Sequence, residues 1–522
     1  MRTSHMAPSS ALRLPVAVRV DRARGMGAVS APTAFALAAT SGALFASAFP
    51  PLSWTPVAWI ALVPLLVACA SLSPARAAVA GLCWTATATV GVAAFLPGML
   101  GRYFGLGTVP AWCAAVATVA GLHGVWVTAW AAWVAWLVRR GGAGPMLVAG
   151  GWVAAEFVRA HGVLGSPWAL LASSQIGWTP VVQVADFAGA YGVGMLVAGV
   201  NAGAAALLVP ALRGRRPVAS SVALVAALVA ALAYGRWRLA EPFAHGPAAG
   251  VAVVQAGATP ARAADRPARL ARYVALTEAA ANPATRLVVW PEYATEAYLE
   301  EPSAARDAIL GVAAAAHADL VLGGPHFVPS RTGTRYHNSV YLVRDGRLAA
   351  RYDKHRLVPF AEHAFFGTSG ARYTPGRGAP VVPATALRLG VSICVEAMTP
   401  DLARRAVARH ADVLVNVSND AWFADAAAAE QQLAIATLRA IEMRRYLVRA
   451  AATGVSAVVD PYGRVLARSA FDTDAVVTSS VRASRARTPY QRWGDAFAWL
   501  VIAMVAVSTL RTSTHHQRRS SS

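Results

Sequence analysis

From about residue 32 to 239 the chain is a succession of apolar runs, most of them near the length that crosses a bilayer. A spanning helix needs about 20 predominantly apolar residues. The pattern predicts spans near 32–49, 52–71, 77–97, 110–138, 144–160, 181–209, 219–236 and 495–511. Between the seventh and the eighth the pattern changes. Over 250–487, charges recur regularly and short apolar runs alternate with amphipathic ones. That alternation predicts strands at 251–255, 286–290, 319–323, 338–343, 387–393 and 412–417, helices at 266–281, 304–316, 401–410 and 426–446, and a hairpin of 455–460 with 464–467 about Tyr462-Gly463. Apolar strands bounded by helices imply a sheet covered on both faces, an α/β layered domain.

Composition agrees with a membrane protein carrying a globular domain. Of 522 residues, 56% are hydrophobic and 14% charged, against about 25% charged in soluble domains. Disordered, collagen-like and disulfide-scaffold classes are excluded. The excess of 47 Lys+Arg over 26 Asp+Glu gives +21. The arginines lie mostly at the ends of apolar runs, which fits topology and not a nucleic-acid surface. With the basic leader inside (Arg2, Arg13, Arg19, Arg22, Arg24), Arg76, Arg139, Arg140, Arg213, Arg215, Arg216 and the tail arginines also fall inside. Arg102 and Arg159 fall in short outside loops, and Arg236 and Arg238 depart from the rule. The organisation expected is a cytoplasmic leader 1–30, a membrane domain 31–240 of about seven spans, an extracytoplasmic domain 248–487, a last span 495–511 and a cytoplasmic tail 512–522. A signal peptide cleaved after Ala46-Ser47-Ala48 is the rival reading of the first span; it would leave the later orientation unchanged.

Three residues stand out chemically. Cys394 ends the apolar run Leu389-Gly390-Val391-Ser392-Ile393 and precedes a helix start at Thr399-Pro400. A thiol there meets a positive field that lowers its pKa; it reads either as a nucleophile or as a small core residue. Lys354 is the single lysine, the other 46 cations being arginine. It is either a solvated charge or a place where a compact ammonium is required, facing an oxyanion or a carboxylate. Glu292 follows Trp290-Pro291 at a strand end, where sites of α/β sheets collect; alone it reads as an exposed loop carboxylate. Glu362 and Glu396 are the other carboxylates nearby, and the polar stretch Asn416 to Phe423 reads as turn chemistry. The four cysteines, Cys69, Cys83, Cys113 and Cys394, form no metal-ligand or disulfide spacing. No P-loop, dinucleotide fingerprint or Gly-x-Ser-x-Gly elbow occurs.

Trp290-Pro291-Glu292, Asp353-Lys354-His355 and Ser392-Ile393-Cys394-Val395-Glu396 resemble the three signatures of the nitrilase (carbon–nitrogen hydrolase) superfamily. The resemblance implies an αββα sandwich with Glu292 as general base, Lys354 as oxyanion stabiliser and Cys394 as nucleophile. With seven spans before this domain and one after it, the chain resembles the apolipoprotein N-acyltransferase family. Phe49-Pro50-Pro51, the run from Trp59 to Leu66, Ser166 to Leu171, Ser174-Gln175, Tyr191 to Gly194, Leu357 to Glu362, Ser418 to Phe423, Arg439 to Glu442 and Thr453 to Ala457 carry that similarity. Val395, the loop Ala361-Glu362-His363-Ala364-Phe365 and the stretch Ala256 to Pro260 depart from the family's usual residues. The resemblance implies acyl transfer from a phospholipid donor to the N-terminal α-amine of a diacylglyceryl-apolipoprotein, through a thioester on Cys394. Glu362 would support Lys354 and Glu396 would order the loop beside the nucleophile. No metal, organic cofactor or nucleic acid is implied, and the location implied is the bacterial inner membrane with the α/β domain on the periplasmic side. The alternatives are a membrane-tethered amidase using the same triad, and a transporter or receptor whose outer domain only binds.

Overall fold

In the computed structural model, residues 29–161, 165–214, 217–241, 246–257, 265–331, 333–359, 361–362 and 373–520 are described. The leader arginines, Arg215, Arg216, Phe360, the stretch from Ala258 to Pro260 and the residues His363 to Phe365 lie outside them.

Twelve strands build the α/β part: β1 Ala248–Gln255, β2 Thr285–Val289, β3 Asp319–Ser330, β4 Gly333–Arg344, β5 Arg347–Asp353, β6 Val381–Pro383, β7 Arg388–Ile393, β8 Val413–Ser418, β9 Leu447–Ala451, β10 Ala457–Val459, β11 Val465–Arg468 and β12 Ala475–Arg482. They form two six-stranded sheets, ordered β12-β1-β2-β3-β4-β5 and β11-β10-β9-β8-β7-β6. The centre of each sheet is parallel (β1-β2-β3 and β7-β8-β9), and its flanks are antiparallel. Residues alternate between faces. Val251 and Val253 of β1 point into the core shared with Val391, Val415 and Val448 of the other sheet. Ala252 and Val254 face the helices Arg266–Ala280 and Ala304–Ala315. Helices Pro400–Ala408 and Ala426–Met443 cover the second sheet. Strands buried on both faces read as unbroken apolar runs, and the layers are those of an αββα sandwich.

The helical part has its own core. Among the described residues, four helices are long and apolar enough to cross a membrane: Thr108–Arg139, Ala185–Leu208, Pro217–Ala240 and Ala496–Thr514. Helix Pro74–Val92 continues into Leu96–Phe104 through a bend of 72°, and the pair would count as a fifth. Length and composition thus single out four or five of the eight expected spans. The runs at 32–49, 52–71 and 144–160 fall on the shorter helices Ala31–Ser47, Thr55–Ser71 and Pro145–Ala160. Prolines at 56 and 64 open new helical segments inside the second run.

Arg159 differs from its expected place in an outside loop, and Arg238, which departs from the positive-inside rule, has an internal partner. Arg159 is buried near the end of helix Pro145–Ala160, donating to His123 Nδ1 at 2.8 Å and to the Ser166 carbonyl at 3.2 Å. Arg238 pairs with the buried Asp186 at 3.1 Å. A charge that is spent on an internal partner no longer reports on membrane sidedness, which is why these two fit the positive-inside pattern poorly.

The two parts are joined by more than chain ends. Arg444 of the α/β part pairs with Asp186 at 2.6 Å and donates to Gln183 at 2.6 Å. Gln431 donates to the Val92 carbonyl at 3.0 Å, where the bend leaves that acceptor free. Arg102 and Tyr103, on the segment past the bend, donate to the Phe423 and Ala361 carbonyls at 2.7 and 2.8 Å.

Candidate active site

Three strands of the sandwich end at one place. Glu292 follows β2 by three residues, Lys354 follows β5 directly, and Cys394 follows β7 directly. All three side chains are buried and line one cavity of about 760 Å³. Glu292 is thus no exposed loop carboxylate: it is 4% exposed. Its turn is packed so closely that a Cβ on Gly323 would stand 2.5 Å from the Glu292 Cα, so that position admits only glycine.

Lys354 Nζ lies 3.3 Å from Glu292 Oε1 and 2.9 Å from Glu362. The lone lysine is therefore a buried ammonium between two carboxylates, and not a solvated charge. Asn338, on β4 beside it, donates its amide to Glu292 Oε1 at 2.7 Å and to Glu362 Oε1 at 3.1 Å. The second oxygen of Glu292 accepts the Asn419 N–H at 2.8 Å. Of the Asn416 to Phe423 stretch, Asn416 to Ser418 end β8 and the turn begins only at Asn419, whose backbone N–H fixes this carboxylate.

Cys394 sits in the left-handed region with φ 51, a sparsely populated conformation that surrounding structure must enforce. Glu396 does much of this. It accepts N–H bonds from Ile393 (2.8 Å), His355 (2.7 Å) and Arg356 (3.0 Å), and the Tyr352 hydroxyl at 3.0 Å. One buried carboxylate thus binds the cysteine turn to the loop that carries Lys354. Behind the turn, Asn416 donates to the Cys394 carbonyl at 3.4 Å, and Arg449 holds Asn416 together with Asp420 and Gln432.

The electrostatics follow from burial. Burial pushes the Cys394 thiol up to about 12; Glu292 adds to the rise and Lys354 opposes it. The expected lowering at a helix start does not occur. The helix that begins at Cys394 is a five-residue 3-10 turn, with few aligned dipoles to set against full desolvation. Burial also raises the Glu292 carboxyl, countered by Lys354 and reinforced by Glu362. For Lys354, burial acts downward, but Glu292 and Glu362 outweigh it and hold the ammonium above its usual range. Burial thus disfavours the thiolate, although the Lys354 ammonium stands in the same cluster. Such a thiol needs a base to become a nucleophile, and Glu292 shares its cavity.

Asn338 and Arg449 went unnoticed in the sequence. Asn338 gave one faint signal, a polar residue at the start of the expected strand whose apolar run is Val340 to Val343. Among the described residues no group of three or more His, Cys, Asp and Glu is placed to hold a metal ion.

Most of the remaining lining is apolar and comes from the helical part, including Val92, Phe95, Met99, Trp168, Trp84 and Trp152, with Leu357, Met398, Trp422 and Phe423 added by the α/β part. The sandwich and the three strand-end residues define a carbon–nitrogen hydrolase domain set on a helical membrane domain. Residues 250–490 match the carbon-nitrogen hydrolase family, and residues 41–203 match the apolipoprotein N-acyltransferase N-terminal domain. An apolipoprotein N-acyltransferase of Geobacter metallireducens is 32% identical over 92% of this chain and 96% of its own length. One of Gloeobacter violaceus is 30% identical over 95% of each chain. The crystal structure of Saccharomyces cerevisiae Nit3, a nitrilase-superfamily member, aligns with TM-score 0.37 and 22% identity over 46% of this chain and 91% of that one. The chain belongs to the apolipoprotein N-acyltransferase family.

Proposed function

We propose that this chain transfers a fatty acyl chain from a phospholipid to the N-terminal α-amine of the S-diacylglyceryl-cysteine of apolipoproteins, through a thioester on Cys394. The observation that carries this reading is the composition of the cavity. One continuous space is lined by Glu292, Lys354 and Cys394 and by apolar side chains of membrane helices. A hydrolase of small amides has no use for such a wall; a lipid tail does.

In the first step Glu292 takes the thiol proton and Cys394 Sγ attacks the ester carbonyl. Lys354 and a backbone N–H hold the tetrahedral oxyanion. The carbon–oxygen bond breaks, the proton passes to the leaving alkoxide, and a lysophospholipid departs. In the second step the α-amine attacks the thioester carbonyl. The carbon–sulfur bond breaks, Glu292 relays the amine proton to the thiolate, and an amide remains. Glu362 supports Lys354, and Glu396 orders the cysteine turn. In this reading 31–240 is the membrane domain and 248–487 the catalytic domain, held on the periplasmic side of the inner membrane by a last span at 495–511.

The test is to incubate the purified protein with phospholipid labelled in its acyl chain. Label released by neutral hydroxylamine, absent from Cys394→Ala, is the expected result; equal labelling of both would sink the covalent route. Adding a diacylglyceryl-cysteine peptide should then give N-acylated peptide by mass spectrometry. Free fatty acid alone would make the chain a tethered hydrolase. An epitope inserted in the β4–β5 turn at Asp345 should be reachable in intact spheroplasts; access only after permeabilisation would reverse the orientation.

A further inference from the structure

We infer that Phe45, Trp84 and Trp152 form the floor of the acyl-chain site and set the longest chain that Cys394 can carry. This rests on the proposed thioester reading, because the chain joined to Cys394 Sγ must lie in the cavity that the thiol lines.

The direction of the cavity is given by helix Pro74–Val92. Its residues Trp84, Thr85, Ala88, Thr89 and Val92 all line the cavity, a spacing of three and four that marks a single helix face. The Val92 end is the α/β end. Its carbonyl accepts from Gln431, and the neighbouring Gln432 lines the cavity. From Val92 back to Trp84 is roughly 12 Å at about 1.5 Å per residue. The hydroxyls on this helix face do not turn toward the cavity. The hydroxyls of Thr85 and Thr89 are turned back onto the carbonyls of Gly81 (2.9 Å) and Thr85 (2.6 Å).

The far end is closed by rings from three different helices. Phe45 meets Trp84 at 4.8 Å and Trp152 at 6.2 Å, and Trp84 meets Trp152 edge-on at 5.7 Å. Trp130 backs Trp152 at 5.0 Å, its own N–H fixed on the Val148 carbonyl at 3.1 Å. All four rings are buried. The helices behind them cannot spread easily: a Cβ on Gly42 would stand 2.4 Å from the Trp84 carbonyl, so the two backbones are in contact there. Aromatic rings have few rotamers and interlock. A floor of Leu or Met would yield to one more methylene, and this one stops it. Glu156 and Arg159 also reach the cavity, but Glu156 accepts the Leu171 N–H at 2.9 Å and Arg159 holds the loop at Ser166. They shape the wall and do not bear on chain length.

The experiment measures single-turnover thioester formation by the full-length protein in detergent micelles with dilauroyl, dipalmitoyl and distearoyl phosphatidylglycerol. One methylene too many in an apolar pocket changes kcat/KM by about 10–200-fold. Ala88→Leu, which fills the middle of the path, should lower the dipalmitoyl-to-dilauroyl rate ratio by at least about 10-fold. Trp84→Ala, which opens the floor, should raise the distearoyl-to-dipalmitoyl ratio by a similar factor, and Trp84→Phe should do so less. If Trp84→Ala does not fold, Ala88→Leu and Trp84→Phe decide. Rates that fall equally for all chains, or ratios that do not move, overturn the floor while leaving the thioester reading intact. A wild-type protein that forms no hydroxylamine-sensitive adduct with any chain overturns the reading and the floor together.

Discussion

Lys354 is one lysine among 47 Lys+Arg residues, and its setting explains why arginine does not replace it. The ammonium sits between Glu292 and Glu362 with 1% of its side chain exposed. A planar guanidinium needs a broad, flat berth, and here both carboxylates and the thiol crowd a point charge. Lys354→Arg should therefore lower thioester formation by at least about 10²-fold, with the protein still folded. An unchanged single-turnover rate would mean that charge alone matters at this position. The same cluster fixes a pH dependence. The Glu292 carboxyl is raised by burial, and Glu362 raises it further while Lys354 pulls it down. In the proposed reaction Glu292 is the base and must be ionised, so thioester formation should fall as pH drops through that raised pKa. Glu362→Gln removes an upward contribution and should move this acid limb to lower pH, beyond any loss in absolute rate. A limb that moves up, or stays, would separate Glu362 from the base.

At the scale of elements, the chain's own pattern carried most of the sandwich. Helix Arg266–Ala280 and strands β2, β7 and β8 fall within a few residues of their expected ends, because buried strands and amphipathic helices leave a strong period. Glu292 and Cys394 were legible for a related reason, each standing just past an expected strand end; Lys354 showed only as the single lysine, because β5 before it was not expected. What was missed depends on the tertiary structure. The helix expected over 426–446 stops at Met443, since Arg444 turns left-handed with φ 45, and strand β9 follows within a few residues. No glycine announces that stop. The Arg444 side chain, at that stop, reaches Asp186 of the helical part, 258 residues away. β12 is an edge strand of alternating exposure, and β6 has three residues; neither is long or apolar enough to read. The Arg444–Asp186 pair also yields an expectation. Removing one partner of a buried ion pair costs about 3–5 kcal/mol. Asp186→Asn should cost stability of that order and loosen the α/β part first, seen as earlier proteolysis of 248–487 on heating. Cleavage at the wild-type temperature would show that the pair is not a clamp.

At the scale of the molecule, neither half owns the site. The α/β part supplies Glu292, Lys354 and Cys394, the helical part supplies most of the apolar wall, and the contacts at Val92, Ala361 and Phe423 hold the seam. A cavity of about 760 Å³ in that seam is a gap in the packing wherever no lipid fills it, and unfilled apolar space forfeits contact energy. If Cys394 carries the proposed thioester, its tail supplies those contacts for as long as the thioester lasts and serves as mortar between the two halves. The acylated protein should therefore melt at a higher temperature than the same preparation stripped with hydroxylamine, and Cys394→Ala mixed with the same phospholipid should show the smaller shift of a loosely held tail. Identical melting of the acylated and stripped forms would place the chain outside the seam. With the difference present, the proposed acyl-enzyme is the sturdier form, and in that reading the arrival of a lipoprotein amine removes a piece of its core.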